Sequence, residues 1–134
     1  MTDVLTRMLH AIDSVDFVTI RASFTDPVET DYVSLWGGTA ESVPLDKLIG
    51  QWQEFLAGFG ATQHQTGPIV ERNGVLATHV TAHHWRPTGE VWSVYGHYIA
   101  RVTDDKIAGL TLHTYHTEGD PTLPQIPAQR ASAG

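Results

Sequence analysis

The sequence predicts an α+β domain in which N-terminal helices pack on a curved, mostly antiparallel sheet. Three observations carry this expectation. Apolar residues recur at helical spacing in two well-separated N-terminal segments. After Gly60 the apolar period changes from about 3.6 to 2. The second half is then punctuated by Asn73-Gly74, Pro87-Thr88-Gly89 and Asp104-Asp105, each a turn signal between strand-like runs. Helices followed by an unbroken series of hairpin-linked strands place the helices over one face of the sheet.

Taken in order, Thr2 or Asp3 caps a first helix whose apolar residues Val4, Leu5, Met8, Leu9 and Ile12 lie on one face, ending at about Asp13. Phe17, Ile20 and Phe24 extend a second short helical segment to the Asp26-Pro27 turn. The β-branched and aromatic run Thr30 to Trp36 reads as a strand closed by Gly37-Gly38. A longer helix follows, with Pro44 at its first position and Asp46 at the positive end of its dipole. Leu45, Leu48, Ile49, Trp52, Phe55, Leu56 and Phe59 form its apolar stripe, and Gly58 and Gly60 stop it. Residues 61–72, 75–86, 90–103 and 106–117 are then four strands of a meander. Residues 1–118 are expected to form one domain, and residues 119–134, with three prolines and little to bury, a loose tail.

At 134 residues the chain can bury a core of its own. Its 15 acidic and 8 basic side chains give a net charge of -7, which works against a nucleic-acid or anionic-membrane partner. With no cysteine, disulfides, thiolate nucleophiles and cysteine-based metal sites are excluded. No run approaches the roughly 18 apolar residues of a membrane span, and a cytoplasmic protein is expected. Both faces of the meander carry apolar residues: Val75, Ala77 and Trp85 on one, Leu76, Val80 and Ala82 on the other. Helices can cover one face and a second copy of the sheet the other, so a homodimer is expected.

Eight histidines and four tryptophans suit a pocket lined with aromatics. Strand alternation puts His79, Thr81, His83 and Trp85 on one face and His84 on the opposite one, so adjacent His83 and His84 do not share a site. His79 and His83 lie about 13 Å apart at strand rise, too far for one metal ion, and His113 and His116 fall on opposite faces. No metal or other cofactor is expected. No nucleophile elbow, phosphate loop or dinucleotide fingerprint is present, and the Gly-Gly-Thr after Trp36 is too short to serve as one. Imidazole and carboxylate remain as the chemistry-bearing groups. His64, at the start of a strand, and Asp13, near the end of the first helix, can form such a pair. On the residues alone, the plainer reading is preferred: Asp13 caps the next segment through Asp16-Phe17, and His64 is a hydrogen-bonded strand residue.

The order helix, helix, strand, helix, four strands resembles the nuclear transport factor 2-like fold, a cone-shaped α+β barrel, and its SnoaL-like branch. Within that branch the chain is most similar to the scytalone dehydratases from about Leu9 to Asp120. The matching segments are IDSVDF (12–17), TDYVSL (30–35), TQH (62–64), HVTAHHW (79–85), GH (96–97) and IAGL (107–110). The resemblance implies that Asp13 and His64 form a dyad acting as base and water holder, and that Tyr32 polarises a carbonyl through water. The dyad recurs in related dehydrochlorinases, so it implies proton abstraction more directly than any one substrate. The tyrosine that precedes the family's aspartate is Ile12 here, and the family's pocket asparagine falls on Val102. Its second histidine falls on Trp85 without gaps, or on His83 if the hairpin slips by two.

The reading that follows is a cofactor-independent lyase of the dehydratase type, or a related proton-transfer enzyme, acting on a small cyclic or polyketide-like substrate. His64 is the base, oriented by Asp13. Tyr32, with His83 or Tyr98, donates hydrogen bonds to developing oxyanion charge. Leu35, Trp52, Trp85, Leu110, Leu112 and His116 shape the cavity. The rivals are an isomerase, cyclase or epoxide hydrolase on the same scaffold, and a protein that binds a small molecule without transforming it.

Overall fold

In the computed structural model, residues 3–34 and 41–119 are described. Helix α1 spans Asp3–Asp13, and its five periodic apolar residues are all buried. Its end is a tight turn: the Asp16 N–H donates to the Ala11 carbonyl at 2.8 Å and the Val15 N–H to the Ile12 carbonyl at 3.1 Å. Helix α2 (Phe17–Ala22) is capped by Asp16, which accepts from the Thr19 N–H at 3.2 Å and the Thr19 hydroxyl at 2.6 Å. The Thr19 hydroxyl, and next its N–H, hold the Asp16 carboxyl below the usual carboxylate range. Asp16 therefore does the capping, and Asp13 is left to another partner.

Strand β1 (Phe24–Ser34) begins earlier than its β-branched run suggests. Phe24, at helical spacing from Ile20, instead pairs with Ile107, and the strand passes through a cis peptide at Asp26-Pro27. Strand β2 (Glu41–Val43) is a short edge that local pattern does not reveal. Helix α3 (Leu45–Leu56) starts one residue after Pro44, whose place is the N-cap, and buries the predicted stripe from Leu45 to Leu56 against the sheet. Beyond its end, Phe59 packs partly buried against the core.

The expected strand 61–72 is two strands, β3 (Ala61–Thr66) and β4 (Val70–Arg72), both paired antiparallel with β5 (Val75–Trp85). Gly67-Pro68-Ile69 interrupts them. Pro68 has no N–H to give the ladder, and the Gly67 carbonyl accepts from the Thr78 hydroxyl at 3.0 Å. Strands β6 (Val91–Thr103) and β7 (Lys106–Gly119) complete one curved, unclosed sheet in the order β2-β1-β7-β6-β5-β3. Asn73 and Gly74, and again Asp104 and Asp105, have positive φ at both positions, as the tightest hairpins require. The β1–β7 pair is parallel and all the others antiparallel.

The inner face, carrying Leu76, Ala82, Val94, Ala100, Leu110 and Leu112, forms one core with α1 and α3. One register shift matters for the site. Tyr95 pairs with His116 but Gly96 pairs with Thr114, so Tyr115 is an extra residue that changes the strand's parity. His113 and His116 are consequently both on the outer face, opposite His97 and Tyr95, and not on opposite faces as simple alternation predicts. Close approach at Gly96 accommodates this, since a Cβ there would stand 2.3 Å from the His113 carbonyl oxygen. None of the described helices is long and apolar enough to cross a membrane.

Candidate active site

Asp13 ends α1 and His64 lies in β3, whose register with β5 sets His64 beside Ala82 on the inner face. The two side chains meet. Asp13 Oδ1 lies 2.6 Å from His64 Nδ1, and Asp13 Oδ2 accepts the His64 backbone N–H at 2.9 Å. One carboxylate thus fixes both the ring and the strand that carries it. An ionised carboxylate can only accept, so Nδ1 carries a proton, and in the neutral ring Nε2 is the nitrogen with the lone pair. The arrangement has a local cost, because a carboxylate at a helix C-terminus faces the negative end of the dipole, by about 0.3–1 kcal/mol. The two hydrogen bonds offset it.

The imidazole side chain is 1% exposed and the carboxylate 23%. Asp13 opens to a groove of about 300 Å³ bordered by Thr6, Leu9, His10, Gln63 and Thr66. His64 also borders an inner cavity of about 20 Å³, enclosed by Trp52 and Phe55 of α3, Ala82 and His84 of β5, Trp92, Val94 and Tyr98 of β6, and Leu112 and Thr114 of β7. That is room for about one water. The Tyr98 hydroxyl stands 3.4 Å from His64 Nε2, a long contact. Burial, and after it the charge of Asp13, push the Tyr98 pKa well above its usual value, so Tyr98 is a phenol that can donate.

His84 is the second imidazole of this interior. It is 4% exposed, its ring is 5.1 Å from Phe55 and 5.6 Å from Trp92, and its Nδ1 is hydrogen-bonded to the Thr62 hydroxyl at 3.1 Å. Burial, then repulsion from the His64 and His83 imidazoles, lowers its pKa to about 3, so it is neutral at physiological pH. Trp52 is 3% exposed, and its indole Nε1 is buried with no hydrogen-bond partner among the described residues. An unmatched buried donor costs about 1–3 kcal/mol.

The sequence candidates separate by sheet face. Asp13, His64, Trp52, Tyr98 and Leu112 surround or support the cavity; Leu110 is buried farther along β7 and does not line it. His83, Trp85 and His116 do not join them. His83 pairs with Gln63 on the outer face, where its Nδ1 is 2.7 Å from the Ser93 hydroxyl and its ring 5.7 Å from that of Trp85. His116 contacts Glu118 at 3.2 Å on that same face. Tyr32 lies in β1 paired with Leu112, and its side chain, like the whole of Leu35, lies outside the described residues. His84, Phe55 and Trp92 were missed. The signal for His84 was its parity with Leu76, Val80 and Ala82, the apolar inward positions of the strand. Among the described residues no group of three metal-ligating side chains converges.

Helices closing one side of a curved, unclosed sheet, with a small cavity between them, define the nuclear transport factor 2-like class of α+β cone. The chain belongs to the SnoaL-like domain family, which it matches over residues 1–109. Three solved structures illustrate the likeness. The Kfla4162 protein of Kribbella flavida is 24% identical with a TM-score of 0.76, covering 87% of this chain and 89% of that one. An LEH-like epoxide hydrolase of M. tuberculosis is 14% identical with a TM-score of 0.72, covering 84% and 80%. A proposed scytalone dehydratase of Novosphingobium aromaticivorans is 16% identical with a TM-score of 0.72, covering 87% and 83%. At these identities the likeness is one of fold. No functionally curated protein matches the chain.

Proposed function

We propose that the chain is a cofactor-independent lyase of the dehydratase type, or a closely related proton-transfer enzyme, acting on a small cyclic substrate. The observation that carries this reading is the 2.6 Å contact between Asp13 and a His64 ring whose side chain is 1% exposed and borders the apolar cavity. In a dehydration, His64 Nε2 takes the proton from the carbon beside a carbonyl. The imidazolium gives that proton to the β-hydroxyl, whose carbon–oxygen bond breaks to release water as the carbon–carbon double bond forms. Asp13 holds the imidazole in the competent tautomer and stabilises the imidazolium produced. Tyr98 stands 3.4 Å from the same nitrogen and can supply a hydrogen bond to the reacting oxygen.

The test is dehydration of a panel of cyclic β-hydroxy ketones, followed by the absorbance of the conjugated product. His64→Ala and Asp13→Asn should each lower kcat by about 10²- to 10⁴-fold with the folded circular dichroism spectrum retained. Turnover that survives both changes overturns the assignment.

One observation favours a second reading, a protein that binds without transforming: the inner cavity measures only about 20 Å³. Saturable binding of panel members with no turnover, equal in wild type and His64→Ala, would select it. For either reading the proposed partners are an uncharged small molecule and a second copy of the chain. Support for the second copy is the outer sheet face, where Val75, Ile99 and Tyr115 are 37%, 39% and 55% exposed.

A further inference from the structure

One lining residue of the cavity carries a buried donor that no described residue satisfies. Trp52 lines the cavity together with His64, and its indole N–H is buried and meets no acceptor among the described residues. An indole nitrogen can only donate. Its neighbours in α3, Phe55 and Leu56, fill the same interior with no polar atom, so packing alone does not require an indole here.

We propose that the Trp52 Nε1–H is the oxygen-recognition donor of this site, hydrogen-bonding the carbonyl of an uncharged, ring-containing ketone. This deepens the proton-transfer reading and rests on it for the donor's role in turnover, though not for binding. The chemistry narrows the ligand in three ways. A donor-only group needs an acceptor, which a carbonyl oxygen supplies and a hydrocarbon does not. Among the described residues no lysine or arginine lines the cavity, which disfavours a carboxylate ligand there. Phe55, Trp92 and Trp52 itself present aromatic surface, which suits a flat ring.

The same placement serves a reaction at His64. When the proton leaves the carbon beside the carbonyl, negative charge gathers on the oxygen, and a donor already fixed there strengthens as the charge develops. Trp52 is held for this by its edge-on contact with Phe55, at 5.8 Å between ring centres. Since the enclosed space is about 20 Å³, a ring-sized ketone must displace part of the wall as it binds.

The experiment compares two bicyclic probes, tetralone and tetralin, the second lacking the carbonyl oxygen. Each is titrated into the whole chain as wild type, Trp52→Phe and His64→Ala, with the indole N–H signals followed by ¹H–¹⁵N NMR. We expect wild type to prefer tetralone, and Trp52→Phe to weaken tetralone binding by about five- to tenfold while tetralin changes less than about twofold. One of the four tryptophan indole signals, that missing from Trp52→Phe, should move downfield with tetralone alone. The proposal is overturned if both probes weaken equally, if no indole signal responds selectively, or if neither probe binds saturably. Should Trp52→Phe not fold, the selective shift in wild type decides alone. His64→Ala separates the two readings: a tetralone preference kept there, with turnover unaffected by the same change, would retire the dyad and leave Trp52 standing.

Discussion

His84 is packed among Phe55, Phe59 and Trp92, with ring centres 5.0 to 5.6 Å away, and its charge state is decided by that company. In the unfolded chain it takes a proton near its ordinary value of 6.5; in the folded chain only at about 3. Between these values the unfolded state holds more protons than the folded one. His84 therefore costs no stability above about pH 6.5 and progressively destabilises the fold as pH falls toward 3. From pH 6.5 to 4.5 that is about 2–3 kcal/mol. His84→Gln, which cannot titrate, should lose correspondingly less stability over that interval, measured by urea unfolding at both pH values. An unchanged pH slope would show that His84 is not the group responsible. At this scale the candidate site was only partly legible. Asp13 and His64 could be singled out as chemistry-bearing types, but 51 positions separate them and no local pattern shows that they touch. His83 was preferred over His84 because adjacent strand residues are equally plausible until one face is known to be buried. The apolar run through Val80 and Ala82 holds that information, and Thr78 and Thr62 on the same face weaken it.

The element carrying Asp13 ends in a conformation its sequence does not favour. Val15 has φ 55°, a left-handed conformation that a β-branched residue adopts only at a cost. It occupies the place after α1 where glycine is usual, and the hydrogen bonds from Val15 and Asp16 back into the helix hold it there. Val15 is 58% exposed, so little packing compensates. Val15→Gly should stabilise the protein by about 1 kcal/mol, read as a rise in the urea midpoint with unchanged m-value. A fall would mean that the lost unfolded-state restriction outweighs the relieved strain. Turns were the most legible elements, since Asn73-Gly74 and Asp104-Asp105 are short polar pairs that tolerate positive φ. The α2–β1 boundary was not, because Phe24 fits the helical spacing from Ile20 and the strand pairing with Ile107 equally well. Nor was the extra residue at Tyr115, which reversed the assigned face of His116: a bulge is set by the close approach at Gly96, a property of two paired strands and not of one.

Among the described residues, helices cover one side of the sheet and only side chains stand on the other. On that outer face the rings of His79, His97 and Tyr115 lie 5.4 to 5.9 Å apart, with the Tyr115 hydroxyl 2.7 Å from His79 Nε2 and His113 stacked 6.4 Å from His97. Ile99 and Val75 flank them, and Arg101 is drawn to Glu29 at 3.2 Å. Monomers rarely leave such a surface uncovered, and two copies of one sheet pack face to face at about 10 Å. The apolar residues on both faces made this arrangement an expectation from sequence. The proposed dimer can be tested against its own electrostatics. Each copy carries a net charge of -7, so long-range repulsion opposes association while the apolar face favours it. Sedimentation should accordingly give a species of twice 14.7 kDa that tightens as salt is raised. Ile99→Arg, which adds a cation at the face where a second copy would present the same one, should return the chain to 14.7 kDa with its circular dichroism unchanged. A wild type that sediments as a monomer at every salt concentration would refute the dimer, and a dimer that Ile99→Arg leaves intact would move the interface off this face.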